Sequence, residues 1–171
     1  RIYGAIVSVE KEMARRHPSL ESTLPADIHF LHSLELERLY PALDRPERES
    51  AICERKGAVF VIGIGAPLAD GAPHDKRAPD YDDWCTPTER GPGLNGDLLV
   101  WNPVLRKALE LSSMGIRVDA KALRRQLAAA NCEERASLLY HRRLLAKELP
   151  FTIGGGIGQS VVGAQGEIGQ F

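Results

Sequence analysis

Ala58-Val59-Phe60-Val61-Ile62-Gly63-Ile64 is a continuous apolar run of strand length, with no polar residue to face water. Side chains alternate between the two faces of a strand. A run that is apolar at every position therefore predicts a central strand buried on both sides. The rest of the chain has to supply neighbouring strands and cover for both faces of the sheet they form.

The flanking segments meet that demand. Ile2, Ala5, Ile6, Val9 and Met13 make a helical stripe over Ile2 to Arg16, ended by Pro18. Ile28 to Leu31 reads as a short strand, followed by a helix from Ser33 to Tyr40 that Pro41 stops. Asp44-Arg45-Pro46-Glu47 has the form of a capping box with proline in the first turn, and its helix closes at Gly57. Beyond the apolar run, Gly65 to Gly96 is a Gly-, Pro- and Asp-rich loop too long for a simple connection. Asp97 to Asn102 and Leu109 to Val118 then read as strands. Asp119 caps a helix through about Ala129, Glu133 to Leu149 forms another, and a glycine-rich strand-to-helix turn, Thr152-Ile153-Gly154-Gly155-Gly156-Ile157-Gly158-Gln159-Ser160, follows. There is no internal repeat, and the expectation is one α+β domain with a mixed or antiparallel sheet.

Composition excludes several classes of function. With 171 residues, 43% of them hydrophobic, and a net charge of −1, the chain has the makings of one globular core. No basic block runs past Arg15-Arg16, so no electrostatic grip on nucleic acid is expected. No apolar run approaches the roughly 18 residues of a membrane span and there is no secretory h-region, which points to the cytoplasm. Cys53, Cys85 and Cys132 are far apart and form no CxxC, so they read as buried or incidental thiols. His29 and His32 have the spacing of a helical metal pair, but the residues around them read as a short strand. The chain begins at Arg1, already in mid-helix pattern, and the expectation is a piece of something longer.

Three stretches carry chemistry. Asp75-Lys76-Arg77-Ala78-Pro79-Asp80-Tyr81-Asp82-Asp83-Trp84 crowds charges of both signs and two aromatics into one loop. It reads either as an ordered ligand-binding surface or as a solvated acidic loop. Glu110 to Arg117 supplies a carboxylate, two hydroxyls and a guanidinium, with Asp97 on the preceding strand as a second oxygen donor. A plain hairpin with surface charges fits that stretch as well. If it is extended, Glu110, Ser112 and Met114 alternate with Ser113 and Gly115, although the small residues allow a bend. The glycine-rich turn fails both familiar phosphate-binding patterns. Gln159 follows Gly158 where a Walker A loop needs lysine, and it also stands where a dinucleotide fingerprint needs its third glycine.

HDKRAPDYDDW (74 to 84), GLNGDLLVWNPVL (93 to 105), ELSSMGIRVD (110 to 119) and TIGGGIGQS (152 to 160), in this order, closely resemble the ammonia-dependent aspartate ligases, the A-type asparagine synthetases. LPADIHFLHSLEL and GAVFVIGIG resemble that family too, so the likeness runs from about Arg1 to Ser160. It covers the second half of the family's chain and makes residues 1–171 a single, incomplete catalytic domain. The resemblance implies a core similar to that of class II aminoacyl-tRNA synthetases, an antiparallel sheet flanked by helices, in a homodimer. It implies the conversion of L-aspartate, ammonia and ATP to asparagine, AMP and pyrophosphate through a β-aspartyl adenylate.

On the same resemblance Asp97 and Glu110 are the carboxylates for Mg²⁺ and ATP, and Arg117 forks onto the α-carboxylate of aspartate. Ser112, Ser113 and Gly115 line the substrate, and Asp82 lies near the amino or ammonia position. Gly154, Gly155, Gly156 and Gly158 floor the adenylate pocket, where any side chain would collide. The family follows this glycine stretch with an arginine that holds ATP, whereas Val161 stands after Ser160 here. Residues 161–171 depart from the family pattern, and the chain by itself is expected to be inactive. A non-catalytic relative that binds ATP or an amino acid, and a relative of aspartyl-tRNA synthetase, are the alternatives. An anticodon-binding domain or a basic tRNA face would distinguish the latter.

Overall fold

The structure is a computed structural model and describes residues 1–158. Val161 and the divergent segment 161–171 lie outside the described residues.

The apolar run forms β2 (Ala58–Ile62), which lies between β1 (His29–His32) and β5 (Asn95–Asn102). The sheet continues through β6 (Lys107–Ile116) to β7 (Ile153–Ile157), giving the order β1-β2-β5-β6-β7. Only the β1–β2 pair is parallel; the other three pairs are antiparallel. Two helices, α2 (Ser33–Leu39) and α3 (Arg45–Lys56), make the crossover that a parallel pair requires.

Both faces of β2 are covered, as its composition demands. Val59 and Val61 pack with Leu31, Leu36, Ile52 and Leu99 under α2 and α3. On the other face Ala58 joins Leu98, Val100 and Leu111 beneath Tyr3 and Val7 of α1 (Ile2–Arg16). Asp44 and Glu47 close the capping box of α3 reciprocally, each side chain accepting from the other's backbone N–H at 2.9–3.0 Å. A third cluster holds Val118 against α4 (Ala120–Ala129) and α5 (Leu139–Leu145).

Three expectations are corrected. The strand ends at Ile62, because Gly63 adopts φ +70° beside the imidazole of His32; a Cβ there would lie 2.1 Å from the ring nitrogen. His32 itself is structural, capping α2 through a bond from the Leu34 N–H. The Glu133 to Leu149 helix is broken: a 3₁₀ turn over Glu133–Ser137 stops where Leu138 goes extended, and α5 begins at Leu139. The glycine-rich stretch is a strand, β7, whose backbone pairs with β6 from Ser112↔Ile157 to Ile116↔Ile153.

The long loop is also more ordered than its composition indicates. It carries a small hairpin of β3 (Pro87–Thr88) and β4 (Gly91–Pro92). Gln126 of α4, fully buried, accepts from the Trp84 N–H at 2.8 Å and donates to the carbonyls of Pro79 and Asp82 at 3.0 Å. One carboxamide thus adds three bonds to a loop whose backbone also pairs with Ile116 and Val118.

A candidate active site on one face of the sheet

A β-bulge decides which side chains meet. From Asn95↔Gly115 to Leu98↔Ser112 the β5–β6 register is regular, and then Leu99 pairs with Glu110, leaving Leu111 as an extra residue. Simple alternation would put Glu110 and Ser113 on opposite faces. The extra residue restores Glu110 to the face that carries Asp97 and Ser113. Leu111 and Ser112 go to the α1 side, where Leu111 is buried.

Four of the carboxyl, hydroxyl and guanidinium groups expected from the sequence therefore share one face: Asp97, Glu110, Ser113 and Arg117. Gly115 and Gly154 lie between them in register. Ser112 is not brought to this group; its hydroxyl donates to the carbonyl of Gly156 at 2.8 Å and ties β6 to β7. Gly155 also faces away, toward Met114. Gly158 donates its N–H to the carbonyl of the bulge residue Leu111 at 3.1 Å.

A side chain added to these glycines would meet the protein itself at two of them. A Cβ on Gly154 would meet the Arg117 guanidinium at 2.3 Å, and one on Gly155 would meet the Cβ of Met114 at 2.8 Å. At Gly156 a Cβ would meet nothing within 4 Å, so the face is open there.

The loop 74–84 supplies the other wall and proves to be an ordered one. Asp82 forms a bridge with Arg117 through the backbone, and its carboxylate accepts from the guanidinium, both side chains being largely buried. The guanidinium lies 3.8 Å from the centre of the Tyr81 ring. Gly115 is needed here because a Cβ would lie 2.8 Å from the Asp82 carboxyl carbon. The neighbouring acids are engaged elsewhere. Asp83 accepts from the backbone of Cys85 and Thr86 and from the Thr86 hydroxyl, while Asp80 accepts from His141 at 3.0 Å.

Asp97 is 3% exposed, and burial pushes its carboxyl up from 3.8 to about 6, with the Ser113 hydroxyl and Arg77 pulling the other way and Glu110 and Asp75 adding to the rise. Glu110, at the solvent edge, is also raised, first by partial loss of solvation and then by Asp75 and Glu49. One buried and one exposed carboxylate on one face, with hydroxyl and guanidinium groups beside them, suit a hard divalent cation shared with phosphate oxygens. Among the described residues no group of three or more His, Cys, Asp or Glu converges as an all-protein metal cage. A magnesium ion that keeps several waters and phosphate ligands does not need one.

The sequence reading missed Arg77 and Gln126. Arg77 donates to both oxygens of Asp97 at 2.9 Å and to Ser113 Oγ at 3.1 Å. A signal was available: a carboxylate on a buried strand requires a cation, and the loop that faces it holds few candidates. Of the thiols, Cys53 and Cys132 are buried and Cys85 is half-buried; all three are unpaired, and burial pushes Cys53 up to about 12.

This sheet, with its flanking helices, has the fold of the class II aminoacyl-tRNA synthetase type. It is similar to the asparaginyl-tRNA synthetase of Entamoeba histolytica solved in complex with asparaginyl-adenylate (TM-score 0.56, 16% identity, 92% of this chain and 36% of that one). The aspartyl-tRNA synthetase of the same organism is similar too (TM-score 0.58, 15% identity, 95% of this chain and 37% of that one). Within that fold class, residues 1–164 match the aspartate–ammonia ligase family, and the chain belongs to it. It is 54% identical over 161 residues to the aspartate–ammonia ligase of Bacteroides thetaiotaomicron and 55% identical over 161 residues to that of Parabacteroides distasonis. In each case the match covers 94% of this chain and 47% of the relative, so the chain spans about half the length of these relatives.

Proposed function

We propose that the complete protein is an ATP-dependent ligase that converts L-aspartate and ammonia to L-asparagine, releasing AMP and pyrophosphate. The observation that carries this reading is the shared face on which the Arg117–Asp82 pair stands beside Asp97 and Glu110. Family membership supports the reaction. The asparaginyl-tRNA synthetase neighbour was solved in complex with asparaginyl-adenylate.

The chemistry divides between two halves of the site. Arg117 forks onto the α-carboxylate of aspartate, which leaves the β-carboxylate as the nucleophile. One β-carboxylate oxygen bonds to the α-phosphorus of ATP and pyrophosphate leaves, giving the β-aspartyl adenylate. The lone pair of ammonia then attacks the acyl carbon of the β-carboxyl group, the C–O bond to AMP breaks and AMP departs, and a proton is lost as the amine becomes an amide. Asp82 is the carboxylate nearest the amino or ammonia position. Ser113 and Gly115 line the substrate, and Gly154, Gly156 and Gly158 leave backbone in place of side chains along the adenylate.

Asp97 and Glu110 are the residues that would hold Mg²⁺, which when bound neutralises phosphate charge. We also read the complete protein as a cytoplasmic homodimer. Three unpaired thiols support a reducing compartment. Large apolar side chains left exposed on both edge strands, Phe30 on β1 and Ile153 and Ile157 on β7, support further chain packing there. No helix among the described residues is long and apolar enough to cross a membrane.

The test is isotopic. With aspartate carrying ¹⁸O in its β-carboxylate, the complete protein should transfer one label to AMP. Label in inorganic phosphate, or none transferred, would refute the adenylate.

A further inference from the structure

Asp97 does not stand ready for a metal ion. Nη2 of Arg77 lies 2.9 Å from each of its two oxygens, so one nitrogen engages both atoms that a divalent cation would need. The same nitrogen lies 3.1 Å from Ser113 Oγ and 3.1 Å from Asp75 Oδ2. A guanidinium Nη carries two N–H groups, so four acceptors compete for two donors. Nε of Arg77 is buried and has no partner among the described residues. The cation is therefore held by one over-subscribed nitrogen, while a donor on the same group goes unused. That arrangement suits a contact that is meant to be given up.

The surroundings fit that use. The stem of Arg77 runs past Gly65, where a Cβ would meet its Cγ at 3.2 Å, so the side chain has a defined path to the sheet. Asp75, two residues back and about half exposed, offers a second carboxylate that needs no movement of the loop. Without a cation, Asp97 would be an unpaired buried charge, which is costly.

We propose that Arg77 is a positioning residue that neutralises Asp97 before the metal and nucleotide arrive, and yields Asp97 to them by retreating onto Asp75. The proposal rests on the reading of Asp97 and Glu110 as the metal–nucleotide carboxylates. Its consequence is that the site discriminates against a bare ion: the divalent cation displaces Arg77 only when phosphate oxygens come with it.

The probe is Mn²⁺ alone, titrated at pH 7.5 into this chain and followed by the electron paramagnetic resonance signal of the free ion. Arg77→Met, which keeps the stem but not the charge, should bind Mn²⁺ about tenfold or more tightly than the unaltered chain, with no nucleotide present. Arg77→Lys, which keeps a charge, should stay within about threefold of the unaltered chain. Adding Asp97→Asn to Arg77→Met should abolish the gain. Should Arg77→Met fail to fold by circular dichroism, Arg77→Gln carries the same expectation. No gain in the neutral variants, an equal gain in Arg77→Lys, or a gain that survives Asp97→Asn would each overturn the proposal. Repeating the titration with ATP present tests the functional reading separately. Absence of Mn²⁺–ATP uptake by the complete protein, beyond what ATP alone binds, refutes that reading, whereas the nucleotide-free gain in this chain alone decides the role of Arg77.

Discussion

Three adjacent glycines on one strand should respond in three different ways to the same added methyl group. At Gly154 the new Cβ would sit 2.3 Å from Arg117 Nη2 and 3.0 Å from its Cζ. Ordinary carbon contacts begin near 3.5 Å, so the guanidinium has to retreat by about 1 Å. The displaced atoms are the end of a long side chain, which makes the fold cost small. Weakening of the Asp82 and Tyr81 contacts, about 1–2 kcal/mol, is partly offset by the ~0.5–1 kcal/mol that alanine gains over glycine in a strand. Gly154→Ala should therefore melt within about 4 °C of the parent. A 1 Å error in a substrate-holding group costs about 10²-fold in kcat/KM, or ~2.7 kcal/mol of transition-state binding.

Gly155→Ala should behave in the opposite way. Its Cβ would meet Met114 Cβ at 2.8 Å and the Ser113 carbonyl oxygen at 3.0 Å, atoms fixed to the backbone of β6. That overpacking costs about 1–3 kcal/mol and should lower Tm by several degrees. At Gly156, where nothing lies within 4 Å, alanine should leave stability unchanged and raise only the KM for ATP, as it fills space read as the nucleotide's. Melting curves of this chain, with aspartate-dependent pyrophosphate release by the complete protein, separate the three. A Gly154→Ala protein with parental kcat/KM, or a Gly155→Ala protein with parental Tm, would refute the reasoning.

Arg117→Ala in the complete protein should raise the KM for aspartate and lower kcat, for a loss of about 10- to 10²-fold in kcat/KM with little change in the KM for ATP; unchanged kinetics would sink the assignment. Asp97 titrates near 6 in the fold against 3.8 ordinarily, so the fold favours its protonated form. Its contribution to stability is fully present below about 3.8 and is lost as the pH rises toward 6, by up to about 3 kcal/mol. The Tm of Asp97→Asn relative to the parent should therefore climb between pH 4 and pH 6.5, and a flat difference would contradict the burial argument.

Local pattern carried much of this molecule. A run with no polar face could only become a strand covered on both sides, and Asp44, Pro46 and Glu47 announced the start of α3 because capping is decided within one turn. The glycine-rich stretch misled because glycine has no side chain to alternate, so a paired strand and a turn look alike until the partner strand is known. Glu110 could be named as a candidate from the sequence but not assigned a face, since alternation cannot be counted through a bulge that exists only in the pairing with β5. Ser112, two residues from Glu110, fell on the other side for the same reason. Arg77 and Gln126 act across 20 and more than 40 residues of sequence, by contacts that leave no period behind them. The partners of the three loop acids, His141 for Asp80, Arg117 for Asp82 and Thr86 for Asp83, likewise leave no mark in the sequence.

Gln126 gives the site a partner in its own fluctuations. Because one buried carboxamide holds the loop at Pro79, Asp82 and Trp84, fraying of α4 withdraws the support of Asp82 in the same event. The wall beside Asp82 and the helical layer behind it are thus coupled through one side chain. A ligand that holds Asp82 closed protects the amides of a helix it never touches, and a surface change that loosens α4 is felt as weaker binding.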